Sequence, residues 1–302
     1  MARWIVVLVC VLSAVNAPAQ EKTQEERDRE KRLQEESAKA NKDTTTFRGW
    51  KHAAAAGMNL TQVSYKDWVA GGENALAYGL HLTGVSTAFG DRTIWANSYR
   101  FAFGQARLGD QGLRKTDDEI YMETFLIYKV GAEVNPYAAA TFRTQFAAGY
   151  TYTGVLEAQV SRFFDPAYLT ESVGAAYSPA PGFTTRIGVA LREVLTSSFP
   201  AYADDPATKD VLEKTNVRGG AESVSDLHIG VAENIDLVAR LELFVPFNAM
   251  DRVIVRNDYG IAAKVNSFIS TTLTFNVLND VNISPRTQMK QVLALGLTYT
   301  LL

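Results

Sequence analysis

From residue 53 onward, large apolar residues recur at every second position. Leu76, Tyr78, Leu80 and Leu82 alternate with Ala77, Gly79 and His81, and Tyr99, Phe101 and Phe103 alternate with Arg100, Ala102 and Gly104. Ile120, Met122, Leu126, Tyr128 and Val130 oppose Glu119, Glu123 and Lys129. Phe142, Phe146, Tyr150 and Tyr152 oppose Thr141, Arg143, Gln145 and Gly149, which reads as one strand running from 141 to 152. Shorter stretches of the same kind cover 173–178, 186–192 and 226–231, and longer ones cover 237–247, 253–264 and 269–277. The last strand sets Leu293, Leu295, Leu297, Tyr299 and Leu301 against Ala294, Gly296, Thr298 and Thr300. Counting a first strand over 53–64, the pattern predicts about twelve antiparallel strands with one apolar and one small or polar face. Such strands suit a closed wall between lipid and a filled or wet interior, an all-β transmembrane barrel.

The connections give an independent reading. Those after even-numbered strands are short and rich in turn residues: Gly90-Asp91-Arg92, 131–135, 178–182, Glu233-Asn234 and a turn near Asn266. Those after odd strands are longer: 65–74, 108–118, 154–168, 196–219 and 279–288. Only the stretch near 248–251 is short on the long side. A soluble sandwich has no reason to couple loop length to strand parity, whereas a membrane barrel with tight periplasmic turns and longer surface loops does.

The start of the chain reads as an export segment. Arg3 precedes the apolar run 4–12, and Ala17-Pro18-Ala19 has the small-x-small form of a signal-peptidase site. The expected organisation is a signal peptide at 1–19, a charged periplasmic leader at 20–46 and the barrel at 47–302. Cys10, the one cysteine, falls within the signal, so the exported chain carries no disulfide or cysteine metal site. A lipoprotein reading of Cys10 is weak because Val9 stands where a small residue is expected. The leader has Leu33 as its one large aliphatic, and its Glu25/Arg29, Asp28/Arg32 and Glu35/Lys39 spacings support a solvated helix. It has no apolar stripe with which to dock. A frayed or disordered leader and a periplasmic tether to an unidentified partner both remain open.

Without Arg3 the balance is 29 basic to 33 acidic side chains, a net charge near −4, which excludes a nucleic-acid footprint. Mean hydropathy is −0.08, as alternating strands give.

Four blocks occur in order: Trp68-Val69-Ala70-Gly71-Gly72-Glu73-Asn74, Lys115-Thr116-Asp117-Asp118, the run from Phe142 through Arg143, Thr144, Gln145 and Phe146 to Gly149-Tyr150, and Phe164-Asp165-Pro166-Ala167-Tyr168. Together they resemble the bacterial envelope proteins grouped as domain-of-unknown-function family 3078, over about Trp50 to the C-terminus. The resemblance implies an outer-membrane location and a barrel fold but no chemistry. Of the individual residues, Trp68 reads as a loop-packing or interfacial residue, with sugar stacking as the alternative. Asp117 and Asp118 point to opposite faces of a strand and are poorly placed to share a cation, so no metal site is expected.

Three functional classes stay open. Inward parity falls on Arg100, Glu123, Lys129, Arg143, Arg186, Arg192, Asp226, His228, Arg240, Glu242, Arg256, Asp258 and Lys264. Eight of these are basic and four acidic, His228 aside, which favours a narrow pore with a positively biased lumen. Opposite charges pairing across the lumen would instead make a structural or surface-interaction barrel without a pore. A barrel enzyme acting on lipid is the lesser alternative. Asp226 could orient His228, but no motif supplies a nucleophile, and no cofactor or catalytic residue is expected. The expected partners are outer-membrane lipid and, through the C-terminal strand, the barrel-assembly machinery, with both termini periplasmic.

Overall fold

Period-two alternation leaves every strand with two unlike faces, and closing the sheet on itself gives each face its own environment while removing both edges. The computed structural model describes residues 47–66, 69, 72–153, 156–205, 208, 210–266 and 269–300. The expected signal peptide and leader lie outside these, as do Trp68, Ala70, Gly71 and Leu301.

The strands are β1 (Gly49–Val63), β2 (Ala75–Phe89), β3 (Thr93–Leu108), β4 (Arg114–Tyr128), β5 (Val134–Thr144), β6 (Gly149–Thr153), β7 (Leu156–Ser161), β8 (Ala167–Ala180), β9 (Phe183–Leu195), β10 (Thr215–Ala232), β11 (Ile235–Pro246), β12 (Ile254–Lys264), β13 (Ile269–Asn279) and β14 (Gln288–Thr300). Twelve of them form one closed antiparallel barrel in sequential order, with β5 paired directly to β8. Closure comes from β1 against β14, where Gly57 lies opposite Thr298 and Met58 opposite Leu297. One side carries turns of two to five residues between strands, the other connections of five to 22. The connection near residues 248–251 follows the rule after all, because it spans seven residues between β11 and β12.

Strand β5 corrects the reading of 141–152 as a single strand. It ends at Thr144, and the chain turns away through 145–148 into the separate hairpin β6–β7. The cause is the Asp118 carboxylate, which accepts the backbone N–H groups of Phe146 and Ala147 at 2.7 and 2.9 Å. Those donors go to a side chain of β4 rather than to a strand ladder. Gln145, Gly149, Tyr150 and Tyr152 are therefore not residues of the barrel wall.

The exterior is apolar. Leu293, Leu295, Leu297 and Tyr299 are all more than half exposed, as are Ile187 and Val189, while Trp50 packs against Trp95 with the two rings tilted by 57° near the short-turn end. The Glu171 and Glu193 positions interrupt this exterior near the loop ends of β8 and β9. Inside, Ala190, Phe244 and Ile254 pack with Leu278. A second inner cluster joins Tyr137, Ala139 and Ala176 to Phe125 and Ile127.

Gly296 faces inward, but the sequence pattern alone would treat it as free space. A Cβ there would lie 2.7 Å from the Met58 carbonyl oxygen, so the position takes glycine for closeness of approach to β1. Ala294, in register with Thr272, is the better inward comparison. Leu297→Arg is expected to lower the yield of folded, heat-modifiable barrel, since an outward arginine costs about 2–4 kcal/mol near a bilayer midplane. Ala294→Arg should retain most of that yield. Equal losses for the two variants in an electrophoretic folding assay would show the assigned faces to be wrong.

Candidate functional site

The interior of the barrel is filled by charge. Glu123 projects inward from β4 and is buried. Its carboxylate accepts from Arg186 of β9 at 2.5 Å, from Arg240 of β11 at 2.6 Å, and from the Tyr121 hydroxyl. Four strands separate β4 from β11 around the wall, so the bond to Arg240 crosses the lumen. Arg240 also donates to Asp226 at 2.9 Å and to Glu242 at 2.7 Å. Glu242 accepts in addition from Arg143 of β5 at 2.6 Å, a second crossing. Tyr121 forms the centre of the cluster. The guanidinium carbons of Arg100 and Arg143 each lie 4.6 Å from its ring centroid, and that of Arg240 lies 5.8 Å away, within cation–π range.

Further pairs extend the network. Arg100 donates twice to Glu119, at 2.7 and 3.0 Å. Arg192 reaches Asp280, a buried residue of the β13–β14 connection, at 3.2 Å. Asp258 accepts from Asn276 at 2.8 Å. Lys290 of β14 meets Asp117 of β4 at 2.5 Å, bridging the part of the lumen bounded by β1, β2 and β3.

The inward residues anticipated from parity thus fall into three groups. Arg100, Glu123, Arg143, Arg186, Arg192, Asp226, Arg240, Glu242, Arg256 and Asp258 share the one interior. Lys129 and Lys264 lie at the short-turn end and belong to no ion pair among the described residues. His228 is paired differently from expectation. Asp226 sits directly opposite Arg240 and is taken by it, so His228 faces Asp236 instead, at 3.4 Å and well exposed. No Asp226–His228 dyad forms.

Parity reasoning also left out Tyr121, Glu222, Asp280 and the cross-lumen partner of Asp117, and Glu119, though placed on the inner face by the alternation, was not counted among the inward charges. Glu222 could have been found by extending the alternation of Asp226 back along β10 through Val224. With Glu119, Glu222, Asp280 and Asp117 added on one side and Lys290 and Arg218 on the other, the set becomes ten basic to eight acidic, so the positive bias narrows. Among the described residues no three His, Cys, Asp or Glu side chains gather as a metal site.

The family-like blocks meet at the loop end. Lys115 donates to Asp118 at 2.9 Å, to Gln145 Oε1 at 3.1 Å and to the Ala147 carbonyl at 3.0 Å. Gln145 passes the chain of bonds to the Asp165 carbonyl at 3.0 Å, and Thr144 donates to the Pro166 carbonyl. Asp117 and Asp118 do point to opposite sides, one to Lys290 and the other to Lys115. In the first block, Asn74 Oδ1 accepts from the Tyr65 backbone at 2.7 Å, and Gly72 has φ near 136°, with the Tyr65 ring occupying the space of a side chain. The Tyr150 and Tyr152 rings lie tilted beside each other within the hairpin, and Gly149 lies against Ser161 and Lys115.

Asp165 anchors the next loop. Its carboxylate accepts from Thr196 Oγ1, from Ser197 Oγ and from the Ser197 and Ser198 backbones, at 2.5–3.1 Å. Burial pushes this carboxyl up, but those hydrogen bonds outweigh it and hold it below the ordinary carboxylate range.

Such a protein is a closed β-barrel whose interior is a paired-charge core rather than a visible active centre. Residues 60–150 match the model of the family described as "Protein of unknown function (DUF3078)", in agreement with the resemblance read from the blocks; the fourth block lies beyond the matched residues. No curated protein matches the chain. Among solved structures, the chain is similar to the translocator domain of the autotransporter NalP from Neisseria meningitidis, at 12% identity over 91% of this chain and 97% of that one, with a TM-score of 0.36. It is also similar to an outer membrane channel from Pseudomonas putida F1, at 12% identity over 84% and 95%, with a TM-score of 0.38. OmpT, an outer membrane protein of Vibrio cholerae, shows 10% identity over 83% and 97%, with a TM-score of 0.30. At these levels the residues of this chain carry the functional reading.

Glu123→Gln should cost about 3–5 kcal/mol in a urea unfolding titration, because it takes the one close carboxylate from the buried Arg186, whose other acidic neighbour, Glu222, is 3.8 Å away. A loss below 1 kcal/mol would show that the cluster is well hydrated and weakly coupled. A depressed carboxyl stabilises above its unfolded pKa and loses that contribution as pH falls through the folded value. Hydrogen-exchange protection of 196–198 should therefore persist at pH 5 and fall once pH drops below about 3.9. Asp165→Asn should show the low protection at both values.

Proposed function

We propose that this chain is an outer-membrane barrel whose lumen is closed at rest by its own charge cluster, so that it serves as a structural or ligand-holding barrel rather than an open anion-selective pore. The observation that carries this reading is the buried Glu123 carboxylate, paired with the buried Arg186 and, across the lumen, with the half-buried Arg240. A charged pair of this kind is held in place by the cost of leaving either member unpaired in a low-dielectric interior. The support for a membrane setting is the apolar exterior, the short and long connections on opposite ends, and the family match, together with the A-x-A site that precedes residue 20. The narrow pore is retained as the open state that this cluster would have to release.

Cell fractionation and reconstitution test the reading in sequence. Heat-modifiable protein should partition with outer membranes, and recovery in the soluble periplasm would overturn the location. In a planar bilayer the unmodified protein should give no stable conductance. The double variant Glu123→Gln with Arg240→Gln should raise leak conductance. Steady anion-selective current from the unmodified protein would restore the pore.

A further inference from the structure

The outer wall is not evenly covered. Across β3, β4, β5 and β8 it carries an open groove of about 490 Å³. Tyr99 and Phe101 of β3 form one bank, and Phe142 of β5 with Leu169 of β8 forms the other. The floor between them is Met122, Thr124 and Ala140, all outward by register. Tyr99 leaves room for the groove by leaning the other way, over Gly84, where its ring fills the space of a side chain.

Both banks continue toward the long connections through rings that do not belong to the wall strands. Phe146 lies 6.1 Å from Phe101, and Phe164 lies 5.6 Å from Phe142. The hydrogen-bonded family-like blocks present these two rings. The Phe146 N–H donates to Asp118 at 2.7 Å, and the Phe164 N–H donates to the Gln145 carbonyl at 3.2 Å. Phe164 is held at φ 55°, an unusual conformation for so bulky a residue. Ile120, in register with Phe101 and outward by parity, is nevertheless buried, so the wall is covered at this upper end.

The lower end is polar. Asn97 lines it, and its side chain makes no hydrogen bond among the described residues. Thr124, its neighbour in register, accepts from Trp95 Nε1 at 2.7 Å. The 16 residues of β3 rise about 40 Å at the usual tilt, so a centred apolar band about 25 Å tall begins about 8 Å above the short-turn end. Asn97, four residues up the strand, stands about 10 Å above that end, at the boundary between hydrocarbon and headgroups. An amide there needs a partner that the wall does not supply.

We propose that this groove seats one acyl chain of a glycerophospholipid from the leaflet on the short-turn side, its ester carbonyl accepting from the Asn97 amide and its chain running between the two banks toward Phe146. The groove is continuous with the apolar exterior, and its volume is on the scale of a ligand site, about 300–1,000 Å³. A polar group at one end alone sets the direction of the chain. A second copy docked by two-fold symmetry fits less well, since it would bring Glu171, in register with Ala140, toward its own equivalent. The inference rests on the membrane reading for its setting.

Photolabelling tests it, with the full exported chain folded into phosphatidylethanolamine vesicles doped with a phosphatidylethanolamine that carries a mid-chain diazirine. Label should concentrate on 97–101, 120–124 and 138–142, well above its level on the equally apolar β13–β14 wall. Ala140→Trp, which fills the floor with a residue that a lipid-facing wall tolerates, should reduce groove labelling to the level of that wall. Ala221→Trp, outward on β10, should leave groove labelling unchanged. Asn97→Leu should lower it by up to about tenfold, the share of one hydrogen bond. Uniform labelling around the wall, or indifference to Ala140→Trp, would overturn the site. Groove labelling that disappears as a dimer forms at higher protein density would assign the groove to a second copy and overturn it as well. A barrel that folds heat-modifiably into the vesicles yet labels uniformly loses the site alone, whereas failure to enter them overturns the membrane reading and the site together.

Discussion

The carboxylate of Glu123 is the constraint on which the interior depends. A buried charge without a counter-charge is costly, and this one lies among two guanidiniums and a phenol drawn from strands on different sides of the barrel. Each of those partners is then committed. Arg240 recruits Asp226 and Glu242, and Glu242 recruits Arg143. Because each arginine spans part of the lumen, pairing substitutes for an apolar core. The barrel wall needs only backbone hydrogen bonds and lipid-compatible side chains outside, while the inner faces are drawn together by charge.

The loop end follows a second economy of the same kind. Asp118 turns the chain off the wall after Thr144, Lys115 and Gln145 hold the departure, and Asp165 gathers the start of the next long connection. Three of the four blocks, at 115–118, 142–150 and 164–168, form one hydrogen-bonded node. That gives the family resemblance a physical meaning, namely positioning of the long connections.

Much of this architecture was legible in the chain, and the reason is the short period. Alternation has only two phases, so Leu297 out and Ala294 in could be read directly, and the count of twelve barrel strands followed, although the fifth was read at 141–152 where β5 runs Val134–Thr144. Two things were hidden. The run Phe142, Phe146, Tyr150, Tyr152 keeps the strand period while the backbone leaves the sheet, because a carboxylate on β4 captures the amides that a ladder would need. Partner choice was hidden as well. Parity places Asp226 and His228 on one face, but register with Arg240 decides which of them is paired. The positive bias read for the lumen is narrower than the anticipated set implied for a related reason, since Asp280 enters from a connection and Glu222 from the unassigned start of β10.

The claim that the lumen is closed between its two mouths can be tested without relying on current. With Cys10 in the expected signal, the exported chain offers no background thiol, so cysteines can be placed singly at Arg218, on the loop side, and at Lys264, on the short-turn side. In sealed vesicles displaying the long connections outward, a charged, membrane-impermeant thiol reagent added outside should label Arg218→Cys and spare Lys264→Cys. Labelling of both at comparable rates would contradict a sealed barrel and show that a continuous aqueous path runs past Glu123 and Arg240.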